Sequence, residues 1–171
     1  MRHRLLIILL LGLCCLGMGR KKLPLSIRFY TQTSQADSDS FSTPVTLLNG
    51  QKTYVDQIAG ISERDILAIY PFPASDGSGG CAFKLDDHGT MALDSLSIEK
   101  KGTILVAAIN GRQVADILID KRVTDGLVII SSGISTDEMK IILKKFPVIG
   151  GKKAEKKKTK DVYSTGLNSN F

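Results

Sequence analysis

Tryptophan is absent from the 171 residues, and Phe and Tyr together make up only 6% of them. A folded core must therefore be built mainly from Ile, Leu, Val and Ala. Histidine occurs twice, at His3 and His88, and cysteine three times, at Cys14, Cys15 and Cys81. So few imidazoles and thiols, so far apart, assemble no metal-ligand set. If the N-terminal segment is removed, Cys81 alone is left, and one cysteine makes no internal disulfide. An intermolecular one stays open, although Gly80, Ala82 and Phe83 beside it predict a small buried thiol. The glycines of Asp76-Gly77-Ser78-Gly79-Gly80 are not followed by the Lys-Ser/Thr that a phosphate-binding loop needs at a helix start. Gly77-Ser78-Gly79 also lacks the spacing of a nucleophile elbow. No cofactor site is expected.

What the chain does have is 43% hydrophobic and 23% charged residues, an ordinary globular composition. Its length suits one domain. The net charge of +6 divides unevenly. Arg2, Arg4, Arg20, Lys21 and Lys22 put +5 on residues 1–22. Lys152, Lys153, Lys156, Lys157, Lys158 and Lys160, against Glu155 and Asp161, put +4 on residues 151–171. That leaves 12 basic and 15 acidic side chains between them, a net of −3. The basic balance belongs to the ends, so it gives no reason to expect specific nucleic-acid binding by the domain.

Met1-Arg2-His3-Arg4 is a basic start, followed by an apolar run from Leu5 to Gly19. As a helix that run spans about 22 Å, short of the ~30 Å hydrocarbon core, and Gly17-Met18-Gly19 offers small residues at a cleavage point. Residues 1–22 are expected to be an export signal or an N-terminal membrane anchor. Arg20-Lys21-Lys22 directly after the cut resists translocation, and Cys14-Cys15 leaves acylation open as a third fate. The protein is expected in the periplasm, free or anchored facing it.

Residues 23–150 carry the periodic segments. Leu25 to Thr31 alternates as a strand should, and Ser34 to Ser42 reads as a polar loop. Val45–Leu48 and Thr53–Ile58 predict short strands around Asn49-Gly50, a pair that tolerates positive φ. Ser62 to Asp65 predicts one turn, with an extended strand following to Phe72. After the turn at residues 76–80, Cys81–Leu85 returns as a strand. Asp86 or Asp87 caps a helix reaching about Lys100, with Met91, Ala92, Leu93 and Leu96 as its buried side. Ile104–Ile109 and Gln113–Ile119 flank Asn110-Gly111 as a hairpin, and Leu127–Ser131 predicts the last strand. Ser135 with Glu138 forms a capping box for a second helix, with Met139, Ile142, Leu143 and Phe146 facing inward and Pro147 ending it. Strands, helix, three strands and helix imply an α+β two-layer sandwich: a mostly antiparallel sheet with two helices on one face. Residues 151–171 lose apolar periodicity and read as a disordered Lys-rich tail, whose lysines can attract anionic surfaces without reading sequence.

Asp86, Asp87 and His88 are the one acid–imidazole cluster. Neighbours at a helix start do not face one another, and capping accounts for the acids. No catalytic residues are expected.

Residues 83–146 resemble the exported head domain of the SecD subunit of the protein-export machinery. The likeness is carried by Phe83-Lys84-Leu85-Asp86-Asp87-His88-Gly89 and Lys101-Gly102, then by Ile109-Asn110-Gly111-Arg112, Val123-Thr124-Asp125-Gly126 and Ile134-Ser135-Thr136-Asp137-Glu138. The membrane-spanning helices that follow the head domain in SecD have no counterpart in these residues. The resemblance implies that fold and an exported binding module. The reading is a non-catalytic binding or scaffold protein of the bacterial envelope, with an unknown protein or envelope component as partner. An accessory of export that contacts translocating chains is the alternative.

Overall fold

The computed structural model describes residues 25–33 and 41–150. The segments expected to be an export signal or anchor and a Lys-rich tail, and most of the segment expected to be a polar loop, lie outside the described residues. Among the described residues, nine strands and two helices follow in the order β1 (Ile27–Thr33), β2 (Ser42–Thr46), β3 (Lys52–Asp56), β4 (Ile61–Ser62), β5 (Ile66–Pro73), β6 (Gly79–Leu85), α1 (Asp87–Glu99), β7 (Ile104–Ile109), β8 (Arg112–Leu118), β9 (Leu127–Ile134) and α2 (Thr136–Lys145). The fold is α+β and mostly antiparallel, as expected: every ladder between the named strands is antiparallel, and an isolated bridge from Ile69 to Val148 is parallel.

The strands form two sheets rather than one continuous sheet. The larger runs β2-β3-β1-β7-β8, with β4 added beside β1; the smaller is β5-β6-β9. Alternation explains how they face each other. Ile27, Phe29 and Thr31 of β1 are buried, while Arg28 and Tyr30 between them are only partly covered. Leu105, Ala107 and Ile109 line the same side from β7. Across from them stand Cys81, Phe83 and Leu85 of β6 and Val128 and Ile130 of β9. The Phe29 and Phe83 rings meet edge to face, centroids 6.1 Å apart. Both helices feed this core, with Leu93 from α1 and Ile142 from α2.

Several boundaries move for physical reasons. The second strand begins at Ser42 and includes Pro44, which an edge strand tolerates because one side of its backbone needs no partner. The third strand ends at Asp56, and Ile58 beyond it is 84% exposed. Leu47 and Val55 of the β2–β3 hairpin instead cover the outer side of Val106, making a second small core there. On α1, Leu93 is buried, Ala92 and Leu96 pack against the core from its margin, and Met91 points to solvent. On α2, Ile142 and Phe146 are buried as expected, whereas Leu143 is exposed. Pro147 does end the helix, but the chain then runs beside β5. The Ile69 N–H donates to the Pro147 carbonyl, and the Ile149 N–H donates to the Ile69 carbonyl.

Candidate functional site

Two places on this framework gather chemistry. The first is the corner where α1 begins. The Asp86 side chain caps α1, accepting from the Gly89 N–H at 2.8 Å. His88 does not pair with Asp87, its sequence neighbour. Its Nδ1 lies 3.0 Å from Oδ1 of Asp65, 23 residues earlier. Asp65 reaches this spot because the other carboxylate oxygen closes its own turn, accepting from the Ser62 N–H and hydroxyl at 2.8 and 3.0 Å. The backbone fixes the corner as well, since the Asp86 N–H donates to the Asp65 carbonyl. An added Cβ at Gly89 would lie 2.8 Å from the Asp65 Cβ.

Partial burial disfavours the charged form of Asp65, but the Ser62 hydrogen bonds and His88 outweigh it, so its pKa falls below the ordinary 3.8. One ligand atom each from Asp65, Asp86 and His88 lies within 4.8 Å of the others, so these are the described residues that could face a cation. Sequence spacing missed Asp65. The turn signal at Ser62 was its trace.

The Asp65 shift has a definite sign for stability. A carboxylate with a depressed folded pKa stabilises the fold above its unfolded value, near 3.9, and loses that contribution as pH falls through the folded value. Asp65→Asn is expected to cost about 1 kcal/mol at neutral pH, in the range of one net hydrogen bond. The difference in melting temperature from the parent should shrink below about pH 4. Melting curves from pH 2 to 7 check this; a difference independent of pH contradicts it.

Cys81 is fully buried, and burial pushes its thiol up to about 12, so the thiolate is scarce at neutral pH. The glycine-rich segment at residues 76–80 is a hairpin connection. Asp76 accepts from the N–H and hydroxyl of Ser78, and the Ser78 hydroxyl accepts in turn from the Gly133 N–H at 2.7 Å.

The second place is the seam between the two sheets, where β8 and β9 run side by side without a ladder between them. At one end they touch. An added Cβ at Gly133 would stand 2.7 Å from the Val114 carbonyl oxygen. Arg112 bridges the same end, donating to the Gly133 carbonyl and pairing with Glu138. Toward the other end a cleft of about 210 Å³ lies between Ile117–Lys121 and Leu127–Ile129, with Leu93, Ser97 and Leu105 as its floor. Its wall is fixed to α1. Arg122 grips Asp94 with two hydrogen bonds of 2.6 and 2.8 Å, and the Val123 N–H donates to the Ser97 hydroxyl. Leu118 and Ile129 flank the mouth at 60% and 50% exposure.

The hydrogen-bond phase of each strand shows which backbone groups face the seam. The Ile119 N–H donates to the Thr103 carbonyl, so Ile117 turns its backbone to β7 and Leu118 turns away. The Leu85 N–H donates to the Gly126 carbonyl, so Val128 and Ile130 turn to β6, and Leu127 and Ile129 turn outward. Two sheet edges thus flank an apolar cleft with outward backbone at Leu118 and Ile129, while the Leu127 N–H donates to Oδ1 of Asp125 at 3.1 Å.

A structure of SecDF, described as a membrane component that enhances protein export, superposes on 72% of this chain with a TM-score of 0.50 and 12% identity. This chain shares the fold of the matched part of that SecDF structure. The match takes in more of the chain than residues 83–146, and it spans 63% of that SecDF chain. SecDF in its super-membrane-facing form gives a TM-score of 0.49 at 12% identity, covering 72% of this chain and 19% of that one. No family model matches the sequence, and no curated protein matches it. Among the described residues no helix is long and apolar enough to cross a membrane.

Proposed function

We propose that this chain is a non-catalytic, exported binding protein of the bacterial envelope, and that the seam between β8 and β9 is where it holds its partner. The carrying observation is the apolar cleft flanked by Leu118 and Ile129, with outward backbone groups on both sides. An extended polypeptide offers a partner for both features, since it presents apolar side chains and main-chain donors and acceptors together. The non-catalytic reading is supported at the α1 corner, where Asp86 is committed to capping and Asp65 to its turn. Export rests on the basic start and apolar run of residues 1–22. The SecDF fold supports a second reading, in which the partner is a chain in translocation.

The test is a photo-crosslinking residue placed at Ile129 of the full chain in its own cells. Fractionation should find the protein outside the cytoplasm, and irradiation should give a discrete adduct that Leu118→Asp weakens at least several-fold. A full-length product confined to the cytoplasm overturns the export reading. An adduct indifferent to Leu118→Asp overturns the seam.

A further inference from the structure

The two sides of the seam restrict what can enter it. On the inner side Leu93, Leu105, Ile117 and Val128 line the cleft, and its volume of about 210 Å³ falls below the ~300–1,000 Å³ of small-molecule pockets. It has room for a side chain rather than a whole ligand. The outer side is apolar as well. Ile129 stands in register with Ala82, and Ala82 with the exposed Tyr70. Next to that row Phe72 pairs with Gly80, and the Phe72 ring occupies the place where a side chain on Gly80 would sit. From the opposite wall the exposed Leu118 and Leu48 reach the same edge. A sheet face open to water ordinarily carries polar residues. This one is mostly apolar.

Free charge is missing from the same place. β9 has no charged side chain from Leu127 to Ile134. Between Val114 and Leu118, β8 has only Asp116, whose two oxygens already accept from the Leu48 N–H and the Gln113 side-chain amide. Lys84, at the margin of the outer face, donates to the Asp125 carbonyl. Asp120 and Lys121 stand past Ile119, at the open end. A charged side chain brought into the seam would lose water and find no counter-charge. Shape adds a further limit. β8 lies along the outer side of β9 and touches it at Gly133. A strand already flanked by neighbours in its own sheet, such as β9 of a second copy, therefore has no room at this edge. A single extended segment does, over about five residues from Leu127 to Ser131. Opposite Ile129, whose backbone faces outward, an incoming residue can exchange both main-chain bonds. Its side chain then lies on the outer face beside Ile129, and the side chains before and after it turn into the cleft. Both sets meet apolar surface.

We infer that the seam selects a lone extended segment of about five consecutive uncharged residues, apolar on both faces, over the alternating pattern of a half-exposed strand. The inference rests on the seam being the partner site, and it names the chemistry that this site accepts. Folded proteins keep such runs in strands buried on both faces.

The experiment measures the binding of labelled peptides to the full chain by fluorescence anisotropy. Four peptides share Gly-Ser flanks and differ only at the centre: Val-Val-Val-Val-Val, Val-Ser-Val-Ser-Val, Ser-Val-Ser-Val-Ser and Val-Val-Pro-Val-Val. The continuous valine run is expected to bind at least tenfold tighter than each of the others. The alternating peptides leave one face polar, and the proline peptide stays apolar but lacks the central N–H. Leu118→Asp should weaken the continuous peptide at least tenfold, with an unchanged melting temperature as the control for folding. If Leu118→Asp weakens binding but the continuous run is preferred less than tenfold over either alternating peptide, the seam stands and the inference is overturned. A proline peptide that binds as well as the continuous run overturns it too, because no strand is then added. Affinity that falls as protein concentration rises makes a second copy the occupant and also overturns it. If no peptide binds, or Leu118→Asp changes nothing, the seam itself falls as the partner site.

Discussion

Gly133→Ala is expected to lower the melting temperature by about 8–15 °C. Two independent costs meet at this residue. Its φ is +92°, in the region that side-chain-bearing residues rarely adopt, and left-handed backbone costs roughly 1–2 kcal/mol outside glycine. The new Cβ would also stand 2.7 Å from the Val114 carbonyl oxygen. That atom is backbone in a paired strand, so it cannot swing aside as a side-chain tip would. Forced overpacking of this kind costs roughly 1–3 kcal/mol. For a domain of this size each kcal/mol shifts the midpoint by about 3–5 °C. Gly50 supplies the comparison: its φ is +87°, but an added Cβ meets nothing within 4 Å. Gly50→Ala should show the backbone cost alone. A Gly133→Ala protein that melts no lower than Gly50→Ala would mean that the edges of β8 and β9 are not in contact at Val114.

Phe83→Ala should be still more damaging, at about 3–5 kcal/mol, the range for emptying a buried aromatic site. Phe83 is fully buried at the centre of β6, the middle strand of the smaller sheet, and its ring is the edge-to-face partner of Phe29 across the core. Its neighbours belong to paired strands on both sides, so they can collapse into the vacated space only partly. Phe83→Leu keeps most of the volume and should cost about half as much. Chemical denaturation of the three proteins measures the series, and a Phe83→Ala cost below about 1 kcal/mol would contradict the facing of the two sheets.

Local chemistry made much of this fold legible. The capping box was readable because Ser135 and Glu138 satisfy each other's orphan N–H groups three residues apart, and both bonds are present. The Asn110-Gly111 turn was readable because both residues take positive φ there, +51° and +80°. What escaped was set by distant parts of the chain. Val106 points away from the main core, so alternation alone left it exposed until the β2–β3 hairpin folded over it. Met91 and Leu93 are equally apolar, and only the position of the two sheets decides which one is buried. The division into two sheets had no local signal either. It follows from β8 and β9 meeting at Gly133 and failing to pair beyond it. The candidate sites show the same rule. Asp86 as a cap was visible in the sequence, whereas Asp65 against His88 and the cleft at the seam each join residues many positions apart.

The strand order also sets a timetable. β1 is the first strand made and lies in the interior of the larger sheet, yet β7, which pairs with it along Ile27 to Thr31, arrives about eighty residues later. At roughly 5–20 residues per second, several seconds of synthesis separate the two. Throughout that interval Ile27 and Phe29 have no β7 to close over them. The smaller sheet waits longer still, since the carbonyl of Ile69 gains its partner only when Ile149 has emerged. Few of the long-range pairings can therefore guide one another early, and loop closure must be met before they stabilise anything. A nascent chain of this order spends its first seconds as an unfolded polymer, and under the export proposed above that delay is the interval in which it can still be threaded.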